Sequence, residues 1–352
     1  MEEVDVIIVG QGIAGSWLGW WLHEAGFHFL TVDNHSGNSA SMRAAGLINP
    51  VTGRRMVTTW MIEELMPFAS EAYKKMEIFL GTNFFEAITL IDFFPSVQML
   101  QSFQKHYEED PAYLLPGLDR EKYSDLFHYD LGWGSIQPCF LVGVEKFLTG
   151  WRSWLDKNGL IIESLFDQMM LQTDAKGIQY AGIHARYIVF CDGVSSAQNP
   201  YFAKLPFALN KGEGLLVEIK GLPSDLVFKK GMSLIPVKEN IFWLGSSYEW
   251  NFTDVHPSDL FKKTAASWLK NNLRLPYKII DHFAALRPAT LERRPFVGFH
   301  PLHPKVGILN GLGTKGCSLA PYFAKQLVDK LSGNGEINPL AEISRFEKIL
   351  GR

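Results

Sequence analysis

Cysteine is scarce in this chain, with three residues among 352, at Cys139, Cys191 and Cys317. No two of them have the spacing of a metal-ligand pair or a redox motif. Cys191 ends an apolar run, so we expect a small buried hydrophobic residue there. His300 and His303 lie close together in a proline-containing loop but lack a third ligand. The sequence therefore predicts no metal site.

Long apolar runs and long basic runs are also missing. No apolar run reaches the ~18 residues that a membrane span requires. Residues 4–9 follow acidic residues and lack the basic segment that opens a signal peptide. The net charge is −3, which argues against a nucleic acid held through its phosphates. We expect a cytoplasmic protein with neither membrane nor nucleic-acid partner, and the sequence leaves its oligomeric state open.

The composition that is present is that of a globular protein. The 352 residues are 47% hydrophobic and 20% charged, which is enough apolar material for a sizeable core. A chain of this length suits two domains or one large interleaved domain.

The amino-terminal segment carries the clearest motif. An apolar strand over 4–9 runs directly into Gly-x-Gly-x-x-Gly over 10–15. Helix-compatible residues 16–25 follow, and a second apolar run over 27–32 ends on Asp33. Strand, glycine-rich turn, helix, strand and terminal acid together predict a βαβ unit that binds a dinucleotide.

Each part of this motif has a physical role. Gly10 allows the tight turn, and Gly12 lets the backbone approach a pyrophosphate closely. Gly15 lets the helix pack against the sheet, while the helix N-terminus attracts the phosphates. Asp33 can accept hydrogen bonds from a ribose diol, which favours NAD or FAD over NADP.

The rest of the chain reads as alternating helices and strands, with a change of pattern near Gly212. We predict helices over 58–80, 95–109, 141–158, 258–273 and 317–331. We predict strands over 84–93, 160–163, 187–191, 215–219, 232–236, 241–245 and 306–310, and a hairpin over 169–180. Because the last strand and helix again follow the dinucleotide-binding pattern, the chain begins and ends in that domain.

Several landmarks occur in a fixed order: residues 10–15 with Asp33, 39–47, 188–193, 211–217, 286–290 with 295–298, and 311–316. Their order resembles the FAD-dependent D-amino acid oxidase-like amine oxidoreductases, a family that includes glycine oxidase and sarcosine oxidase. The most specific are Leu286-Arg287-Pro288 and the glycine-rich turn before the last helix.

The resemblance implies an α/β fold with a Rossmann-like FAD-binding domain and an interleaved substrate domain on a large, mostly antiparallel sheet with helices. It places the FAD-binding domain at 1–80, 135–207 and 282–352. The substrate domain would then take 81–134 and 208–281.

The resemblance also implies a reaction. The family oxidises the carbon next to an amine nitrogen by hydride transfer to flavin N5, and oxidase members pass the electrons to oxygen. We expect a small amine or amino-acid substrate carrying a carboxylate. Four alternatives stay open: a flavin dehydrogenase of a hydroxy acid that reduces a quinone or carrier, a tRNA-modification-type amine oxidase, a non-catalytic flavoprotein, and an NAD dehydrogenase.

The predicted FAD contacts follow the landmarks along the chain. They are Gly10, Gly12, Ile13, Ala14, Gly15, Asp33, Asn34, Ser41, Ala45, Gly46, Leu47, Asp192, Gly193, Gly311, Gly313, Thr314, Lys315 and Gly316. Sarcosine-type members attach the flavin through a cysteine near the position of Arg287. That cysteine is absent here, so the resemblance implies non-covalent FAD.

Arg287 and Lys315 are the first candidates for catalysis. Arg287 matches the family arginine that grips the substrate carboxylate, as a guanidinium fork can; the alternative is a structural salt bridge. Lys315 would add positive charge near flavin N1 and C2=O, unless it faces solvent. Thr314 replaces a second arginine of glycine oxidase, which argues against glycine itself as the substrate.

Two further candidates lie elsewhere. Arg54 and Arg55 follow the flavin-side loop, where sarcosine-type members carry an arginine, and we choose Arg55; a surface pair is the alternative. Tyr248 falls where the family's sheet lines the pocket, and it is otherwise a buried core residue.

Overall fold

The computed structural model describes residues 2–37, 39–174 and 177–351. Its strands, in chain order, are β1 Glu2–Val9, β2 Phe29–Val32, β3 Leu47–Ile48, β4 Val51–Thr52, β5 Val57–Thr58, β6 Phe85–Phe93, β7 Leu114–Pro116, β8 Trp133–Val142, β9 Ile161–Ile162, β10 Gln172–Thr173, β11 Ile178–Tyr180, β12 Ile183–Phe190, β13 Asn210–Ile219, β14 Leu226–Lys230, β15 Met232–Lys238, β16 Ile241–Gly245, β17 Tyr277–Arg287, β18 Phe296–His300 and β19 His303–Asn310. Its α-helices are α1 Ile13–Glu24, α2 Ile62–Leu80, α3 Val97–Glu109, α4 Val144–Lys157, α5 Asp259–Asn272, α6 Gly316–Leu331 and α7 Glu347–Leu350.

The first sheet has β1 at its centre, in parallel register with β2 on one side and β12 on the other. Strand β12 in turn pairs in parallel with β19. Val6, Ile7 and Ile8 are fully buried because a parallel sheet is covered on both faces. Helices α1, α2, α4 and α6 contribute the core on one of these faces.

Helix α1 is buried along almost its whole length, from Ile13 to Leu22. It lies against the first sheet and packs on α6. Trp17 is fully buried and meets the ring of Tyr73 edge-on, at 4.9 Å between centroids. The helix begins three residues before the predicted start because the glycine-rich turn itself supplies its first turn.

The second sheet has nine strands in the order β17-β13-β16-β15-β14-β6-β8-β3, with β7 paired to β8. Its pairs are antiparallel except β14 with β6. Helix α5 packs on one face, where Phe261, Ala265 and Leu269 are buried. The second sheet lies beside the first one, and residues of both sheets line a cavity between them.

Most predicted elements are present, with differences that have local causes. The helix predicted over 58–80 begins at Ile62 because residues 57–58 close a hairpin with 51–52. The helix predicted over 141–158 begins at Val144 because residues 133–142 form the ten-residue strand β8. Strand β17 was not predicted, because it is an edge strand whose first half is largely exposed and lacks an apolar alternation.

The predicted division into two domains stays a prediction. The first sheet draws on residues from both ends of the chain, as that division requires. However, β8 pairs with β6 in the second sheet, although most of its residues fall in the predicted FAD-binding segment 135–207. Within the described residues, none of the helices is long and apolar enough to cross a membrane.

Candidate functional site

A cavity of about 980 Å³ opens between the two sheets. The first sheet and its loops contribute Gly10, Asp33 and Asn310 to the wall, and the second sheet contributes Trp243 and Arg287. The volume lies near the upper end of the roughly 300–1,000 Å³ that ligand and cofactor sites occupy.

Glycine is required at two points of the first turn. Gly10 has a left-handed φ of +96°, and a Cβ there would lie 2.7 Å from the carbonyl oxygen of Cys191. A Cβ at Gly15 would lie 1.9 Å from the carbonyl oxygen of Gly10. The turn therefore holds β1 and α1 so close together that only glycine fits at either position.

The turn is also fixed from the neighbouring loop. Ser41 Oγ accepts a hydrogen bond from the backbone N–H of Ile13 at 3.1 Å, and it would lie 3.1 Å from a Cβ at Gly12. Gly46 has φ +79°, and a Cβ there would lie 1.9 Å from the Val142 carbonyl oxygen. This close packing brings loop residues Ala45, Gly46 and Leu47 to the cavity.

Asp33 lies at the same end of the cavity and is already held in place. Its carboxylate accepts hydrogen bonds from the backbone N–H of Gln11 at 2.9 Å and of His35 at 2.8 Å. Arg152, a buried residue of α4, donates to it at 2.8 Å and also pairs with Glu163 at 3.1 Å. The sequence reasoning did not find Arg152, because its partner lies on a distant segment.

The wall continues along the end of β12. Asp192 and Gly193 both line the cavity. The Asp192 carboxylate accepts hydrogen bonds from Ser196 Oγ and Asn310 Nδ2. Burial raises the pKa of the Asp192 carboxyl to about 6.

The turn before α6 closes the far part of the cavity. Gly313, Thr314 and Gly316 line the wall, and a Cβ on Gly316 would lie 3.1 Å from Ile13 Cγ2 of α1. Thus the N-termini of α1 and α6 meet at one cavity. The side chains of the N-cap residues, Gly12 and Lys315, do not cap these helices, so the partial positive charges of both N-termini favour an anion in the cavity.

Three predicted cofactor residues do not line the cavity. Gly15 and Gly311 are needed for the path and packing of the backbone. Gly311 has φ +74°, and a Cβ there would lie 2.6 Å from Thr290 Cγ2. Lys315 directs its ammonium to Thr59 Oγ1, at 3.1 Å, and burial lowers its pKa to about 8. The other predicted FAD contacts all line the cavity.

Arg287 and Tyr248 are brought together at the wall formed by the second sheet. The Arg287 NH1 group donates to Asn210 Oδ1 at 2.6 Å and to the Ser247 carbonyl oxygen at 3.1 Å. The guanidinium carbon lies 4.6 Å from the centroid of the Tyr248 ring. Within the described part of the chain, no carboxylate pairs with Arg287. Burial lowers its pKa.

The structure does not bring Arg55 to this place. Arg54 and Arg55 are exposed at the tip of the hairpin between β4 and β5, and of that tip only Gly53 is found in the wall that the described residues form. Tyr248 is not the buried core residue that the alternative interpretation describes, since 59% of its surface is exposed.

Two cationic residues at the wall were missed by the sequence reasoning. Arg43 lies 5.4 Å from the centroid of the Phe283 ring, and both residues line the cavity. Lys229 lines it too and pairs with the fully buried Asp92 at 2.5 Å. Arg43 was within the predicted flavin-side loop, whereas the pairing of Lys229 depends on strand register.

Comparison with known proteins gives the family. A family model described as FAD dependent oxidoreductase matches residues 5–330. The chain belongs to this family. The oxidoreductase is thus an FAD-dependent enzyme, as its sequence predicts.

Solved structures confirm the predicted D-amino acid oxidase-like fold. Glycine oxidase from Geobacillus kaustophilus matches with TM-score 0.82 and 16% identity, over 98% of each chain. Iminodiacetate oxidase from Chelativorans sp. BNC1 matches with TM-score 0.76 and 16% identity, over 97% of this chain and 98% of that one. L-Proline dehydrogenase from P. horikoshii matches with TM-score 0.75 and 16% identity, over 99% and 98%.

The residues present fit the cofactor of the family. Two helix N-termini at one cavity favour an anionic, phosphate-bearing group. Gly12 lines the cavity without a side chain, which allows such a group a close approach to the backbone, and Asp33 supplies an acceptor at the same end. These residues and those of the loop 39–47 would hold FAD.

Proposed function

We propose that this oxidoreductase oxidises the C–N bond of a small amine or amino acid that carries a carboxylate. The observation that carries the proposal is Arg287, a largely buried cation at the cavity wall whose described partners are all neutral. Such a cation is stabilised by an anionic ligand, and its planar fork matches a carboxylate.

FAD, when bound, would supply a two-electron acceptor for oxidation of the carbon next to the amine nitrogen, with oxygen as the final electron acceptor in this proposal. The chain itself orients the substrate: Arg287 holds the carboxylate, while Trp243, Phe283 and Ile235 give the wall apolar surface that excludes water. The resulting imine is then hydrolysed in solution. Orientation of this kind is the main contribution a protein makes to hydride transfer.

Names of structural neighbours support the substrate class. Glycine, iminodiacetate and L-proline, which appear in three of those names, all combine an amine with a carboxylate. Two of the three are oxidases and one is a dehydrogenase, so the choice of oxygen as acceptor rests on the test below.

We also propose that FAD is bound without a covalent link, in the cytoplasm. Cys191 and Cys317 are the cysteines that line the cavity among the described residues. Burial raises the pKa of the Cys317 thiol to about 12 and that of Cys191 well above its ordinary value, so both are poor nucleophiles. Cys139, Cys191 and Cys317 are buried and unpaired, as suits a reducing compartment.

The test is anaerobic reduction of the bound flavin by a panel of amino acids, N-methylamino acids and hydroxy acids, followed by air. We expect bleaching by amines that carry a carboxylate and re-oxidation by oxygen. Arg287→Met should slow reduction by these substrates about 10- to 100-fold, since a charge-assisted pair is lost, and Arg287→Lys should be intermediate.

The flavin content of each variant is the control. Reduction by hydroxy acids alone would overturn the proposal in favour of a hydroxy-acid dehydrogenase. Unchanged kinetics of Arg287→Met would remove that residue from the substrate site.

A further inference from the structure

We propose that Gly212 and Asn210 are positioning residues that hold the Arg287 guanidinium in place to bind a carboxylate. They would thereby set a preference for amines that carry a carboxylate over amines that lack one. This inference rests on the proposed function. Both residues lie on β13, and Asn210 is directly opposite Arg287 in the register with β17. Residues two apart on a strand share a face, so the arginine side chain that starts opposite Asn210 can extend diagonally over Gly212.

Gly212 leaves the space that the guanidinium occupies. A Cβ at this position would lie 1.9 Å from Arg287 NH2 and 2.1 Å from its guanidinium carbon. The Gly212 backbone lies outside the left-handed region, so any residue can adopt its conformation. The missing side chain is therefore required by Arg287 and not by the backbone.

Asn210 holds the guanidinium without neutralising it. Its side chain is almost fully buried, and Oδ1 accepts from NH1 at 2.6 Å. The second acceptor, the Ser247 carbonyl oxygen, is also uncharged. An aspartate at 210 would have nearly the same shape, but its negative charge would balance the positive charge of the arginine.

One edge of the guanidinium is left for a ligand. Both hydrogen bonds to described residues use NH1, and Nε and NH2 donate to no described group. The ring of Tyr248 covers a face of the guanidinium rather than this edge. The Nε–NH2 edge has the two parallel N–H groups that bidentate carboxylate recognition needs.

The proposal predicts that one added methyl group changes substrate preference. In Gly212→Ala, the guanidinium must leave its position, because the arginine is the flexible partner in the collision. We expect kcat/KM for sarcosine and L-proline to fall about 10- to 100-fold. Dimethylamine and pyrrolidine, which lack the carboxylate, should change less than about threefold. The affinity for acetate, measured by calorimetry on the FAD-bound enzyme, should fall by a factor similar to that for the acids.

Two companion variants separate sterics from charge. Asn210→Asp keeps the shape and removes the net charge, so it should reproduce the loss of acetate affinity even if Gly212→Ala folds poorly. Gly214→Ala places its Cβ 2.8 Å from the Phe283 ring, not at Arg287, so it should affect acids and amines alike.

A double variant tests whether Gly212 acts through Arg287. Gly212→Ala added to Arg287→Met should cause no further loss, because the partner is already gone. Full additivity, or an equal fall for acids and amines in Gly212→Ala, would overturn the inference. If Arg287→Met itself leaves acetate affinity unchanged, the proposed substrate site is wrong. If Arg287→Met weakens acetate but Gly212→Ala and Asn210→Asp do not, only the positioning role is wrong.

Discussion

At the scale of single residues, two inward-facing arginines differ in whether the described residues balance their charge. Arg152 pairs with two carboxylates, Asp33 and Glu163, so its charge is balanced within the protein. Among the described residues, the partners of Arg287 are all neutral, and in our proposal the substrate carboxylate balances its charge. Residue type alone does not reveal this difference, because it depends on side chains that are distant in sequence.

Lys315 offers a second test of a largely buried charge. Its pKa is lowered to about 8 by burial, while the unfolded value is near 10.4. The folded state therefore disfavours the charged form, and this destabilisation is full below pH 8 and disappears as the pH approaches the unfolded value. We expect Lys315→Met to raise the free energy of unfolding by about 1–3 kcal/mol at pH 7.

The gain should shrink between pH 8 and pH 10, where the native lysine is already neutral when folded. Urea unfolding of both proteins across this range measures it. Lys220→Met, at an exposed lysine, should show no such pH dependence. A gain that stays constant with pH, or a loss at pH 7, would contradict the assignment.

At the scale of elements, the packing of α1 on β1 depends on Gly15. Alanine is about 1 kcal/mol better than glycine inside a helix, but a Cβ at Gly15 would lie 1.9 Å from a backbone oxygen that cannot move freely. The collision outweighs the helical propensity. We therefore expect Gly15→Ala to lower stability by several kcal/mol and to purify with little FAD, as measured by flavin absorbance and thermal melting.

Gly150→Ala is the matched control, since Gly150 is also helical. Its nearest neighbour would be Leu80 Cδ1 at 3.4 Å, an ordinary contact. This variant should keep its FAD and be as stable as the parent, or up to about 1 kcal/mol more stable. Equal behaviour of the two variants would argue against a steric requirement at Gly15.

The elements also show what sequence reasoning can reach. The fingerprint at 10–15 was readable because its strand, turn and helix are local, and each has a distinctive composition. Strand β17 was not readable, although Arg287 ends it, because its first half is largely exposed and shows no apolar alternation. Arg55 was chosen and Arg43 was missed because the sequence does not tell which side chain reaches Phe283.

At the scale of the whole molecule, the cavity between the sheets makes cofactor binding a global contribution to stability. A ligand that contacts both walls binds the folded state only, so each tenfold rise in free FAD above its Kd adds about 1.4 kcal/mol. We expect FAD added to the flavin-depleted protein to raise its melting temperature progressively. NAD at equal concentration should give no comparable shift.

Acid precipitation of the FAD-bound protein tests whether the flavin is attached covalently. Since the cavity thiols are held protonated, the yellow flavin should remain in the supernatant. Flavin that stays with the precipitated chain would show a covalent link and refute the proposed mode of binding.

Segments from both ends of the chain lie in one sheet, and this has a consequence for biosynthesis. Helix α1 packs on α6, and at ~5–20 residues per second the ribosome needs roughly 15–60 s to make the roughly 300 residues between their first turns. Throughout that time Trp21 lacks its final neighbours on α6, where its indole N–H donates to the Pro321 carbonyl oxygen. The nascent protein therefore carries an apolar surface for chaperones to shield, and it can capture its cofactor only after nearly the whole chain has left the ribosome.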